Sequence, residues 1–246
     1  MELHHKLHVL TRKEELDAVR IPGKVVVVLD ILFATTTMVT ALAHGASDVL
    51  PVLDEAAARA AAARCEPGSF VLSGELNAQT LPGFAHPAPL ALAAHGVQGR
   101  RVIYSTTNGT VAMTHCSGAA HVYCGSLLNV GALTSHILRA HPDDTILIVC
   151  AGSAGNFNLE DFVGAGAFVD RLASRLGPGA DVSDAARAAR AVFRSARLPQ
   201  ALHECRVGRL MASLGLAREV EFACRLDEYE VVPAMAGERL IAAPRA

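Results

Sequence analysis

Apolar, β-branched runs of strand length recur along the chain at residues 24–29, 48–53, 69–72, 101–104, 121–124, 145–150 and 230–232. Between many of them lie alanine-rich segments of helical length, at 55–64, 129–139, 161–176 and 183–194. Strands that alternate with helical segments predict an α/β protein, with helices covering both faces of a central sheet. The alternation does not dictate that every neighbouring pair is parallel, so the expectation is a three-layer α/β/α body around a mixed sheet. No composition break divides the chain, and residues 1–246 read as a single domain. The Pro/Gly cluster at 177–179 marks a shift to a more helical C-terminal portion rather than a boundary.

Weak internal similarity sharpens this pattern. "VVVVLDILFATTTMVTALAHGASDVL", from Val25, reads as strand, threonine-bearing turn, helix, a stop at Gly45, then strand. "RRVIYSTTNGTVAMTHCSGAAHVY", from Arg100, reads the same way with its stop at Gly118. A third junction, in "ILIVCAGSAGNFNLEDFVGAGAFVDRL" from Ile146, carries a glycine-rich turn. Three such junctions predict helix N-termini gathered at the carboxyl ends of the strands, where open α/β sheets bind ligands.

Charge narrows the class of ligand. Acidic and basic residues nearly balance, 24 against 22, so no strong field selects nucleic acid or an anionic membrane surface. The expected partner is a small molecule. No apolar run reaches the eighteen or so residues of a membrane span. The six cysteines are scattered without a CxxC pair, which suits a reducing cytoplasm. The histidines show no HExxH or His/Cys zinc spacing, and His4 and His5 read as plain surface residues. Nothing in the chain requires a homodimer and nothing excludes one.

The junctions carry the candidate chemistry. A helix N-terminus offers unsatisfied N–H groups to anions, and hydroxyls add donors. Thr35, Thr36 and Thr37 at the first junction, with Thr106, Thr107, Asn108, Gly109 and Thr110 at the second, are thus candidate phosphate contacts. Taken singly, each also fits an ordinary cap or turn. Asp30 ends a buried strand, where a carboxylate is costly without a partner or ligand. Glu75 follows another strand, and Glu160 and Asp161 lie in a first helical turn, where Asn158 and Asp161 read as a capping box. Together these four carboxylates are the oxygen donors that a hard divalent cation such as Mg²⁺ takes. No P-loop, GxGxxG or GxSxG motif is present.

The ordered set "LDILFATTT", "SGE", "PGF", "STTNGT", "CAGSAGNFNLEDFVGAG" and "VGRLMASLGL…EFACRLDEYEVVP" resembles the 2-phosphosulfolactate phosphatase family, over residues 24–233. The resemblance implies a three-layer α/β architecture and a Mg²⁺-dependent phosphatase known from coenzyme M biosynthesis. It also implies a metal site of Asp30, Glu75, Glu160 and Asp161, with Asp30 as catalytic carboxylate. Thr35 to Thr37 and Thr107 to Thr110 would then line the anion site. In the family pattern, D-x-L-R-A-T-T-T, G-E-R and T-N-G-T-R place arginine where this chain has Phe33, Leu76 and Val111. The family's D-L-G-N-S-P segment reads "AHPAPL" here, and a His-Gly pair near the tail reads Val207-Gly208.

Arginine forks recognise phosphate, sulfonate and carboxylate bidentately, and each lost contact to a buried anion costs about 1.5–3 kcal/mol. The resemblance therefore implies a Mg²⁺-dependent phosphatase acting on 2-phosphosulfolactate or a related small phosphate ester, with a less anionic substrate favoured by the three replacements. The competing expectation is a non-catalytic or repurposed member of the same fold that binds a small ligand.

Overall fold

In the computed structural model, which describes residues 6–244, the segment Val25–Leu29 is buried along its whole length. Its odd positions, Val25, Val27 and Leu29, join the core on one face of the sheet, and Val26 and Val28 join the core on the other. A continuous apolar run is what a strand covered on both faces requires. His4 and His5 lie outside the described residues.

The strands are β1 (Leu7–Leu10), β2 (Val25–Leu29), β3 (Asp48–Val52), β4 (Phe70–Leu76), β5 (Gln79–Thr80), β6 (Arg101–Ser105), β7 (His121–Gly125), β8 (Ile146–Cys150), β9 (Pro233–Ala236) and β10 (Arg239–Ala242). They form one sheet in the order β1-β8-β2-β7-β9-β10-β3-β6-β4-β5. Two parallel blocks emerge from the pairings. One joins β1, β8, β2 and β7, and the other joins β3, β6 and β4. The antiparallel hairpin β9–β10 links them through β7 on one side and β3 on the other. The sheet is mixed, as expected.

Helices α1 (Ala34–Ala43), α2 (Glu55–Ala62), α3 (Pro89–His95), α4 (Gly109–His115), α5 (Val130–Ala140) and α6 (Leu159–Leu176) are followed by α7 (Asp184–Ser195), α8 (Leu198–Glu204), α9 (Arg206–Ser213) and α10 (Ala217–Ala223). Side chains of α5, α6 and α7 cover one face of the sheet, and those of α1, α3 and α4 the other. α2 packs a smaller cluster over Ile103, with Leu50 and Leu72 beside it. The two threonine-bearing units cross in opposite directions: β2-α1-β3 leaves the first parallel block for the second, and β6-α4-β7 returns. α1 stops before Gly45, whose φ of 83° needs the left-handed region open to glycine.

The strand expected at 230–232 is not formed. Asn129 Nδ2 donates to the Val231 carbonyl at 3.2 Å and the Ala243 N–H donates to Val232 at 2.8 Å, so this stretch is tied irregularly and pairing begins at Pro233. The sequence pattern does not predict β1, β5, β9 or β10; all are four residues or fewer. No helix among the described residues is long and apolar enough to cross a membrane.

Candidate functional site

The first junction folds around its own backbone. Thr35 Oγ1 accepts from the Asp30 N–H at 2.8 Å and donates to the Asp30 carbonyl at 2.9 Å. Thr36 Oγ1 donates to Ile31 O at 2.9 Å, and Thr37 Oγ1 donates to Pro87 O at 2.8 Å. All three threonines are buried and their hydroxyl protons are committed to carbonyls. They frame the turn from beneath and do not line the cleft above it. What the turn presents is the Asp30 carboxylate, with Oδ1 accepting from the Ala34 N–H at 3.3 Å.

The second junction meets the first directly. A Cβ added at Gly109 would lie 2.3 Å from Ala34 Cβ and 2.7 Å from Asp30 Oδ2, so only glycine lets α4 begin this close. Thr110 is buried in reciprocal bonds with Thr106 and faces inward. Thr107 and Asn108 line the cleft. Glu75 braces this junction: its Oε1 accepts from the Thr107 N–H at 2.7 Å and its Oε2 from the Ala78 N–H at 2.6 Å.

The third junction corrects the capping-box expectation. Asn158 precedes α6 without a side-chain cap bond. Asp161 instead accepts from Ile31 N–H at 2.9 Å and from Gly152 N–H at 3.1 Å, bracing the ends of β2 and β8 against α6. A buried carboxylate with two backbone donors from outside its own helix, one of them 130 residues away, is worth more to the fold than a local cap. Glu160 is buried beside the Cys205 thiol.

Between these turns and α9 opens a cleft of about 310 Å³, lined by Asp30, Glu75, Thr107, Asn108, Asn158 and Arg206 among others. Two cations reach this region. Arg206 Nη2 donates to Asn158 Oδ1 at 2.9 Å and to Ser153 Oγ, both neutral acceptors, and its charge also pulls on the buried Glu160 carboxylate. Lys13 Nζ donates to Asn108 Oδ1 at 3.1 Å and to Ala151 O at 3.2 Å behind the second junction. Arg101 points away, paired with Asp48 at 2.7 Å.

The field at Asp30 is unusual. Burial, helped by Glu160 and Glu75, pushes its carboxyl up to about 7, against the opposing pull of the Ala34 N–H and Lys13. Burial also raises Asp161, with Asp30 and Glu160 adding to the effect, and burial raises Glu160. Groups that resist carrying negative charge together are candidates for receiving a cation.

The donor set tests whether a metal fits. Among the described residues no group of three or more His, Cys, Asp and Glu side chains is gathered closely enough to cage an ion. Asp30 and Glu75 do face one cleft, and Asp161 does not line it; Glu75, like Asp161, accepts one backbone N–H on each oxygen, which leaves each oxygen a second lone pair for an ion. One or two carboxylates, completed by water and substrate phosphate, is how Mg²⁺ is commonly held. The residues present fit an ion shared with substrate, not a preformed four-carboxylate cage.

Sequence comparison bears directly on this site. A family model described as 2-phosphosulpholactate phosphatase matches residues 10–238, which contain all three junctions and Arg206. The chain belongs to the 2-phosphosulfolactate phosphatase family. It is 37% identical over 219 residues to a protein of Symbiobacterium thermophilum, covering 88% of this chain and 93% of that one. A protein of Thermotoga petrophila is 38% identical over 215 residues, covering 85% and 88%, and one of Deinococcus radiodurans is 36% identical over 214 residues, covering 86% and 87%. Each of the three is named a probable 2-phosphosulfolactate phosphatase.

Of the family positions that hold Phe33, Leu76 and Val111 here, only Phe33 lines the cleft; Leu76 is exposed on the β4–β5 hairpin and Val111 is half-buried in α4. Sequence reasoning missed Lys13, Arg206 and His86. The first is one of three lysines in an arginine-dominated chain, and the second adjoins the divergent Val207-Gly208 pair. Those oddities were the available signals.

Proposed function

We propose that this protein is a Mg²⁺-dependent phosphatase that hydrolyses a small phosphate monoester at Asp30. The observation that carries the reading is the joint placement of Asp30, Glu75 and Arg206 around one cleft. Two oxygen donors suit a hard cation, and a guanidinium held by neutral acceptors suits phosphate oxygens. The names carried by the relatives in the same family support phosphatase chemistry.

In this reading Asp30 and Glu75 would hold Mg²⁺, which when bound supplies charge neutralisation at the phosphoryl group. Arg206, oriented by Asn158 and Ser153, grips the phosphate. Thr107 and Asn108 line the anion end of the cleft, with Lys13 fixing the Asn108 amide. Thr35, Thr36, Thr37 and Thr110 set the two turns, Gly109 lets them touch, and Asp161 ties the first to the third. Glu160 adds negative charge behind Asp30. Asp30 then either takes a proton from the water that attacks phosphorus or attacks phosphorus itself to give a phospho-aspartate that water hydrolyses. In both the P–O bond to the alcohol breaks and the departing oxygen takes up a proton from solvent, and rapid-quench trapping of the phospho-aspartate separates the two. All six cysteines are free, which suits the cytoplasm as its compartment.

The test is phosphate release from an aryl phosphate and from 2-phosphosulfolactate by the purified protein, with Mg²⁺ and with EDTA, beside Asp30→Asn. Release that requires the metal and falls at least a hundredfold in the variant is expected. No release from either ester by folded protein would instead favour a member repurposed for binding alone.

A further inference from the structure

We propose that the phosphate ester accepted by this cleft carries an uncharged, apolar group, as an alkyl or aryl phosphate does, rather than a second acid. The inference rests on the phosphatase reading of the same cleft and narrows its substrate class. Among the described residues that line the cleft, Arg206 is the one lysine or arginine, set against the carboxylates of Asp30 and Glu75. One guanidinium with one shared metal ion can match one phosphate. A second carboxylate or sulfonate on the substrate would enter beside two acidic side chains without a fork of its own.

Beyond Ser153 and Asn158, which hold Arg206, α9 and the segment after it add an apolar part to the lining, Val207, Leu210, Met211 and Leu216, which Phe33 extends. Leu210 is 44% exposed, so it keeps apolar surface open beside Arg206 on the same helix. Residues 206, 210 and 211 fall within about 140° on a helix of 3.6 residues per turn, so the guanidinium and the apolar surface share a face. The polar group at the His86 position does not restore a cation. His86 Nδ1 accepts from the Ala88 N–H at 3.1 Å, which selects the tautomer with its proton on Nε2, an uncharged donor. A hydroxyl or ether oxygen near the ester would suit it.

Burial of each methylene against such a surface should tighten binding about three- to fourfold. The experiment is calorimetric titration of the full chain, with Mg²⁺, by ethyl-, propyl- and butylphosphonate and by the carboxylated analogues phosphonoacetate and phosphonopropionate, for wild type and Leu210→Arg. These phosphonates are not hydrolysed, so the reading does not depend on turnover. Expected is a stepwise gain along the alkyl series, carboxylated analogues at least tenfold weaker than butylphosphonate, and a flattened series with improved phosphonopropionate binding in Leu210→Arg. A flat alkyl series in wild type, or tightest binding by a carboxylated analogue, would overturn the proposal. So would a wild-type dimer that Leu210→Arg splits, accompanied by a flat series, since a second copy would then cover the leucine. Phosphate release from butyl phosphate, measured in parallel, keeps the two readings apart. An intact alkyl series without release sinks the phosphatase reading alone, and release with a flat series sinks the apolar specificity alone.

Discussion

Asp30 holds its carboxylate where the metal-free protein is penalised for it. A carboxyl raised to about 7 binds its proton more tightly in the folded state than in the unfolded chain, so its charging costs stability as pH rises through 7. The cost disappears as pH falls toward the ordinary carboxylate range. Asp30→Asn should therefore melt higher than wild type at pH 8 without metal, and the gap should narrow by about half or more at pH 5 and close only below about pH 4. Thermal melts at the two pH values check this, and a variant less stable at pH 8 would contradict it. Gly109 tests the neighbouring contact. A Cβ added there would lie 2.7 Å from Asp30 Oδ2, so Gly109→Ala must push the two turns apart at a cost of about 1–3 kcal/mol. Denaturant melts should show that loss, and phosphate-release assays a fall in kcat/KM larger than the loss of folded protein explains.

At the scale of elements, the short hairpin β9–β10 determines how the two parallel blocks meet. It pairs with β7 through Tyr123 and Ala234 and with β3 through Leu240 and Val49. Leu240 is fully buried there. A chain ended after Val232 exposes two interior strand edges and should lose its cooperative melting transition, read by far-ultraviolet circular dichroism against temperature. A sharp transition near the wild-type temperature would show instead that the blocks hold together unaided. This hairpin was also the least legible part of the sequence. β2 and β8 could be read because each is an unbroken apolar run, whereas "PAMA" and "RLIA" are short and gain their strand form only from neighbours. The same limit explains Asp161. Its position in the first turn of α6 suggests a cap, but its partner Ile31 N–H lies 130 residues away, and no local pattern encodes that bond.

For the molecule as a whole, crossing connections bring chemistry from both parallel blocks to one cleft. Asp30 follows β2 in the first block, and Thr107 and Glu75 come from the second. The carboxylates and the threonine turns were legible because they sit at strand-to-helix junctions. Which of their groups face the cleft was not, because it depends on tertiary partners: the Thr35, Thr36 and Thr37 hydroxyls turn to the Asp30, Ile31 and Pro87 carbonyls, whereas Thr107 lies on the cleft and accepts from the Asn77 N–H. The cation was less legible still. Arg206 arrives on α9, from outside the three junctions, and stands in the cleft that Phe33 lines without charge. The most direct measurement is the rate of phosphate release by Arg206→Ala beside wild type, on an aryl phosphate with Mg²⁺. Loss of one charge-assisted contact of about 1.5–3 kcal/mol should lower kcat/KM some ten- to hundredfold with little change in melting temperature. An unchanged kcat/KM would place the phosphate elsewhere and remove the cleft's claim to be the site.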